Sequence, residues 1–121
     1  MDVDVLLCKM HDNAADPTAL IDCCKVLRLH LEESPLLLAE LDSRANTIIR
    51  MVMNAVKVHV PHAAFQVQAY WLLFRLCGEE IRNQVHFVNE GCIDATIQVM
   101  QMHKRHMDVQ METGRLLAWT L

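Results

Sequence analysis

The chain has 121 residues and a formal net charge of −4; it is 53% apolar but only 5% aromatic, with 3 Gly, 3 Pro, 8 Met and 5 Cys. The apolar share excludes a disordered chain, and scarce Gly and Pro exclude the many turns of a β-sandwich or barrel. With 11 basic residues scattered among 15 acidic ones, no dense basic tract exists to bind a phosphate backbone.

The longest apolar stretches are broken by Arg50, Lys57 and Arg75, so no run of about 18 residues predicts a membrane span. Met1-Asp2-Val3-Asp4 is acidic where a signal peptide is basic, so a cytoplasmic or nuclear location is expected. The cysteines (Cys8, Cys23, Cys24, Cys77 and Cys92) are odd in number and lack C-x-x-C spacing. They read as small buried hydrophobes in a reducing compartment, with a redox or metal role as the alternative.

In chain order, an apolar stretch from Val3 to Met10 precedes His11. A helix then begins near Pro17 and carries Leu20, Cys23, Cys24 and Leu27. A short helix is predicted over 36–42, after Pro35, a favoured first-turn residue. A second runs over 44–58, where Ile49, Val52, Met53 and Val56 form an i, i+3, i+4, i+7 stripe. Pro61 breaks the chain, and a third helix spans 63–77 with Gly78 as its stop. The order then recurs: a short helix over 79–89 ended by Gly91, then helices over 92–103 and 107–121.

The last two units superpose at a spacing of 44. His59 falls on His103, His62 on His106, Gln66 on Gln110, and Leu72-Leu73 on Leu116-Leu117. Ile49, Met53 and Val56 fall on Ile93, Ile97 and Met100. A weaker copy lies upstream at about 46, without the His pair or the Gln. One short and two longer helices every 42 to 47 residues is the arithmetic of a stacked helical repeat. A unit of this size cannot cover its own apolar faces, so stacking must do so.

Asn83-Gln84-Val85-His86-Phe87-Val88-Asn89-Glu90-Gly91 resembles the first helix of an armadillo repeat and its Gly. Cys92 to His103 resembles the second helix, and Asp108-Val109-Gln110 with Leu116-Leu117 the third, as does Phe65 to Cys77. The resemblance covers about 2.7 repeats, in units of roughly 1–33, 34–78 and 79–121, with HEAT repeats as the alternative label. It implies an all-α, armadillo-like superhelix that binds a protein or peptide on the concave face of its third helices. It implies no catalysis and no cofactor.

On those helices Gln68, Trp71 and Arg75 share a stripe separate from Ala69, Tyr70, Leu73, Leu76 and Cys77. Equivalent positions are Glu112, Arg115 and Trp119, and Asp22, Lys25 and Leu29. The candidate groove residues are therefore Lys25, Trp71, Arg75, Arg115 and Trp119. They form two rungs: Lys25, Trp71, Arg115, then Leu29, Arg75, Trp119. Trp71 stands where nuclear-import adaptors of this family carry a groove Trp, and Arg75 where they carry Asn. Arg and Trp suit an acidic or aromatic peptide. The alternative is that both tryptophans are packing residues.

The recurring histidines could hold zinc, but equivalent positions in stacked units lie about 10 Å apart. They are better read as caps on the carbonyls ending the second helix. A Cys92/His103 nucleophile pair can be drawn, but such pairs occur by chance at this composition. Glu32-Glu33 and Glu79-Glu80 read as helix-end charges. Met51, Met53, Met100, Met102, Met107 and Met111 read as core fillers. Neither end carries the polar cap a terminal repeat needs, so a piece of a longer solenoid, a structural segment, or self-association through the ends is expected.

Overall fold

The computed structural model describes residues 2–78 and 80–120, so the expected positions of Glu79 and Leu121 lie outside the described residues. Eight helices follow in order: α1 (Val3–Asp12), α2 (Pro17–Glu33), α3 (Pro35–Asp42), α4 (Ala45–Val58), α5 (Ala63–Cys77), α6 (Ile81–Asn89), α7 (Cys92–Met102) and α8 (Met107–Thr120). No strand occurs among the described residues.

The boundaries follow from local chemistry. Asp2 and Asp16 cap α1 and α2 by accepting from backbone N–H groups of the first turn. Pro17 and Pro35 open α2 and α3, where the missing N–H costs nothing. Gly78 ends α5, and a Cβ there would sit 2.9 Å from the Phe74 carbonyl oxygen. Gly91 turns the chain into α7 at φ 73, a conformation glycine adopts without steric cost.

The same turn joins the longer helices three times. The N–H groups of Asp16, His62 and His106 donate to the carbonyls of Asn13, His59 and His103 at 2.9, 2.9 and 3.0 Å. Those of Leu20, Gln66 and Gln110 then donate to the carbonyls of Asp16, His62 and His106, each at 3.1 Å. The spacing is 46 between the first two turns and 44 between the last two. The upstream turn thus makes the same two hydrogen bonds, with Asp16 capping where the others have His.

The longest helices form the packing axis. Helix α5 lies between α2 and α8 and packs against both. Two sides are therefore buried: Phe65, Ala69, Tyr70, Leu72, Leu73, Leu76 and Cys77 are at most 1% exposed. An all-round apolar helix of this kind is stable only between neighbours. Helix α6 packs on α4, α5, α7 and α8 and plants Phe87 in the core; α3 packs on α2 and α5.

One expectation fails in part. Met53 is buried and Met51 and Met100 are half-buried, but Met102, Met107 and Met111 are 56%, 83% and 54% exposed. Met102 and Met107 flank the α7–α8 turn, and among the described residues no helix packs on the outer side of α7 and α8.

Candidate functional site

The recurring His-x-x-His-x-x-x-Gln pattern has a structural task, repeated in both copies. The first histidine of each motif reaches back into the preceding turn. A His59 ring nitrogen (Nε2) lies 2.8 Å from the Ala14 carbonyl oxygen, and that of His103 2.6 Å from that of Val60. The second histidine caps the next helix: Nδ1 of His62 accepts from Phe65 N–H, and Nδ1 of His106 from Val109 N–H. The glutamine closes the helix before it. Gln66 Nε2 donates to the Val56 and His59 carbonyls, and Gln110 Nε2 to those of Met100 and His103. Capping of the second helix's carbonyls, expected of histidine, thus falls to glutamine, whose amide reaches back from the following helix. The histidines are committed to backbone groups, and no metal-holding cluster forms among the described residues.

The cysteines divide sharply. Cys8 is exposed, while Cys23, Cys24, Cys77 and Cys92 are buried. Burial pushes the thiols of Cys24 and Cys77 up to about 12 and that of Cys92 to about 11, and raises Cys23. A thiol held protonated in this way is a poor nucleophile, and the His103 ring is already engaged with the Val60 carbonyl.

Of the expected groove residues, Trp71 and Arg75 of α5 and Arg115 and Trp119 of α8 join two aromatic–cation clusters, and Lys25 lies on α2 one turn before Arg28. Trp71 is half-buried against the core; Lys25, Arg75 and Arg115 are exposed, and Trp119 is 55% exposed. Contacts between helices do not follow the two expected rungs. The Arg28 guanidinium sits 4.6 Å from the Trp71 ring centroid, and that of Arg115 4.3 Å from the Phe74 ring. Arg75 approaches Trp71 at 6.0 Å, and Trp119 meets Phe74 edge-on at 6.3 Å between centroids. Residue 28 is equivalent to residue 74, and residue 71 to residue 115. The same stagger therefore recurs, with cation and aromatic exchanged.

A carboxylate on the same helix holds each stacked arginine. Glu32 Oε1 accepts from Arg28 Nε at 3.4 Å, and Glu112 Oε1 lies 3.3 Å from Arg115 Nη1. Glu112 is 5% exposed, and its Oε2 has no hydrogen-bond partner; neither does Oε1 of Gln68, its equivalent on α5. Sequence reasoning missed Arg28 and Phe74. Each lies three residues beyond a rung position, and that offset depends on how far neighbouring helices slide past each other.

On another surface, α1 and α4 border a groove of about 790 Å³. Leu7, Cys8, Met51 and Ala55 line it, together with the ion-paired Asp4 and Arg44. Beneath it Met10, Ala14, Met51 and Ala55 surround a void of about 10 Å³, at the lower limit for one water.

No helix among the described residues is long and apolar enough to cross a membrane. No family model matches the chain, and no curated protein or solved structure matches it.

Proposed function

We propose that the chain is an armadillo-like scaffold, without catalysis of its own, that binds an extended acidic or aromatic peptide along the strip of α2, α5 and α8. The observation that carries this reading is the row of cations and aromatic faces running across three adjacent helices. Arg28, Trp71, Phe74 and Arg115 interlock along it, and Lys25, Arg75 and Trp119 remain exposed beside them. Arg28 and Arg115 each give one N–H to Glu32 or Glu112, and their remaining donors and the Arg75 guanidinium can meet a peptide's carboxylates. Trp119 and the open edge of Trp71 supply apolar area between them. Three equivalent helix–turn–helix joints support the superhelical arrangement.

The chain's two tryptophans, Trp71 and Trp119, both make contacts on this strip, so selectively excited tryptophan emission reports on it. Titration with a tryptophan-free Glu/Phe peptide should shift the emission, with affinity falling as salt rises. A Lys/Phe peptide of equal length should not. Arg75→Glu should weaken the acidic peptide at least tenfold. A response to the basic peptide alone, or none to either, defeats the proposal.

A second reading, a segment that packs on another part of a larger assembly, is favoured by the same contacts taken as staples. Arg28 on Trp71 and Arg115 on Phe74 each join two helices. If neither peptide shifts the emission while Arg115→Ala loosens α8, the strip holds the stack together and does not take a ligand.

A further inference from the structure

The repeat lets each surface be compared with its own equivalent inside the molecule. On α4, Ile49, Met53 and Val56 are at most 1% exposed. Their equivalents on α7 are open: Ile93 and Met100 are half-buried, and Ile97 is 41% exposed. Leu73 and Tyr70 of α5 are fully buried, while their equivalents Leu117 and Gly114 on α8 are half-buried. A Cβ added at Gly114 would meet no atom within 4 Å, so this side of α8 has room for a neighbour.

What covers the equivalent face is a helical unit. Helices α6 and α7 pack on α4, and α6 and α8 on α5. Two polar contacts mark that docking, and both recur one unit earlier. First, the turn after the short helix forms an ion pair with the second helix of the preceding unit. Arg44 pairs with Asp4 there, and Glu90 with Arg50 at 3.3 Å. Asp4 and Arg50 are equivalent positions 46 apart, so the pair keeps its place and reverses its sign. Second, an imidazole meets the carbonyl of the preceding turn, at Ala14 and then at Val60. On the open face these two positions are Asp94 and the Lys104 carbonyl.

We propose that the open face of α7 and α8 docks a further helical unit of the same short–long–long pattern, one that brings a cation to Asp94. Asp94 restores the sign found at Asp4, so the matching side chain is basic, as Arg44 is, and not acidic, as Glu90 is. The sign selects among partners more than it adds affinity, since an acidic group facing Asp94 is repelled. The partner's apolar side covers Ile97, Met100 and Leu117, and an imidazole or amide donor meets the Lys104 carbonyl. This surface is separate from the peptide strip and does not depend on it.

The test extends the full chain with a second copy of residues 34–78, the internal unit that carries Arg44 and His59. In a Cys8→Ser background, Ile97→Cys provides a maleimide site on the face. The added unit should become helical by circular dichroism and slow labelling at position 97 at least tenfold. Arg44→Glu in the added copy should give back at least threefold of that protection, and Asp94→Lys should restore it. Unchanged labelling, an added unit that stays unfolded, or protection indifferent to both charges overturns the proposal. Protection that rises with concentration of the unextended chain assigns the face to a second copy and overturns it equally.

Discussion

The junction between α1/α2 and α4/α5 and the junction between α4/α5 and α7/α8 use the same parts with different results. Both stack their longest helices, both carry the histidine contact to the preceding turn, and both carry the sign-reversed ion pair. The second is closed, because α6 lies on α4 and buries Phe87 completely. The first is open, because α3 packs on α2 and α5, leaving the α1/α4 groove with Leu7 only half-buried. Leu7 is the equivalent of Met53, which is 1% exposed. The placement of one short helix therefore decides whether a junction is core or groove.

Four measurements break or sharpen this contrast. The largest effect is expected at the closing helix. Phe87→Ala should cost about 3–5 kcal/mol in urea unfolding, while Leu7→Ala should cost about 1 kcal/mol. Similar costs would show that the groove side is as tightly packed as the closed one.

Alkaline pH comes next. The folded-state thiols of Cys24, Cys77 and Cys92 titrate at about 12, 12 and 11, above an ordinary value near 9. Below about pH 9 both states keep these protons, and stability is complete. Above it the unfolded chain loses them first, so stability falls until the folded pKa is reached, by about 1 kcal/mol per thiol per pH unit. Urea midpoints at pH 8 and 10 should differ, and Cys77→Ala should reduce the pH slope. A flat profile would mean that water reaches the second junction.

The histidine contacts allow a direct comparison. His59→Ala and His103→Ala should each cost about 1 kcal/mol by the same assay. Equal costs make the contact independent of α6, and a larger cost at His103 makes the two features cooperative. The smallest effect belongs to the exposed ion pairs. Arg50→Glu should cost no more than about 1 kcal/mol, recovered by adding Glu90→Arg. Failure of the double variant to recover would mean that Arg50 acts by packing.

Much of the helix order is legible because punctuation and period agree. Pro17, Pro35, Gly78 and Gly91 mark joints, and Ile49, Val52, Met53 and Val56 mark a face. The 44-residue spacing aligns His59, His62 and Gln66 with His103, His106 and Gln110. The strip was legible only as a direction. Trp71 meets Arg28 and Arg75, and Phe74 meets Arg115 and Trp119, so Arg28 and Phe74 complete contacts that the sequence did not name. No sequence rule states the stagger of three residues that brings Arg28 to Trp71. The roles within the His–Gln motif were likewise hidden, since the bond from His59 to Ala14 spans 45 residues.

By itself the sequence determined that this chain is helical and where its helices turn, because caps, prolines and apolar periods act within a few residues. The tertiary structure alone decided which equivalent positions become core, groove or open face. Leu7, Met53 and Ile97 are equivalent positions on the same apolar stripe, and only the helix lying across each one sets its exposure.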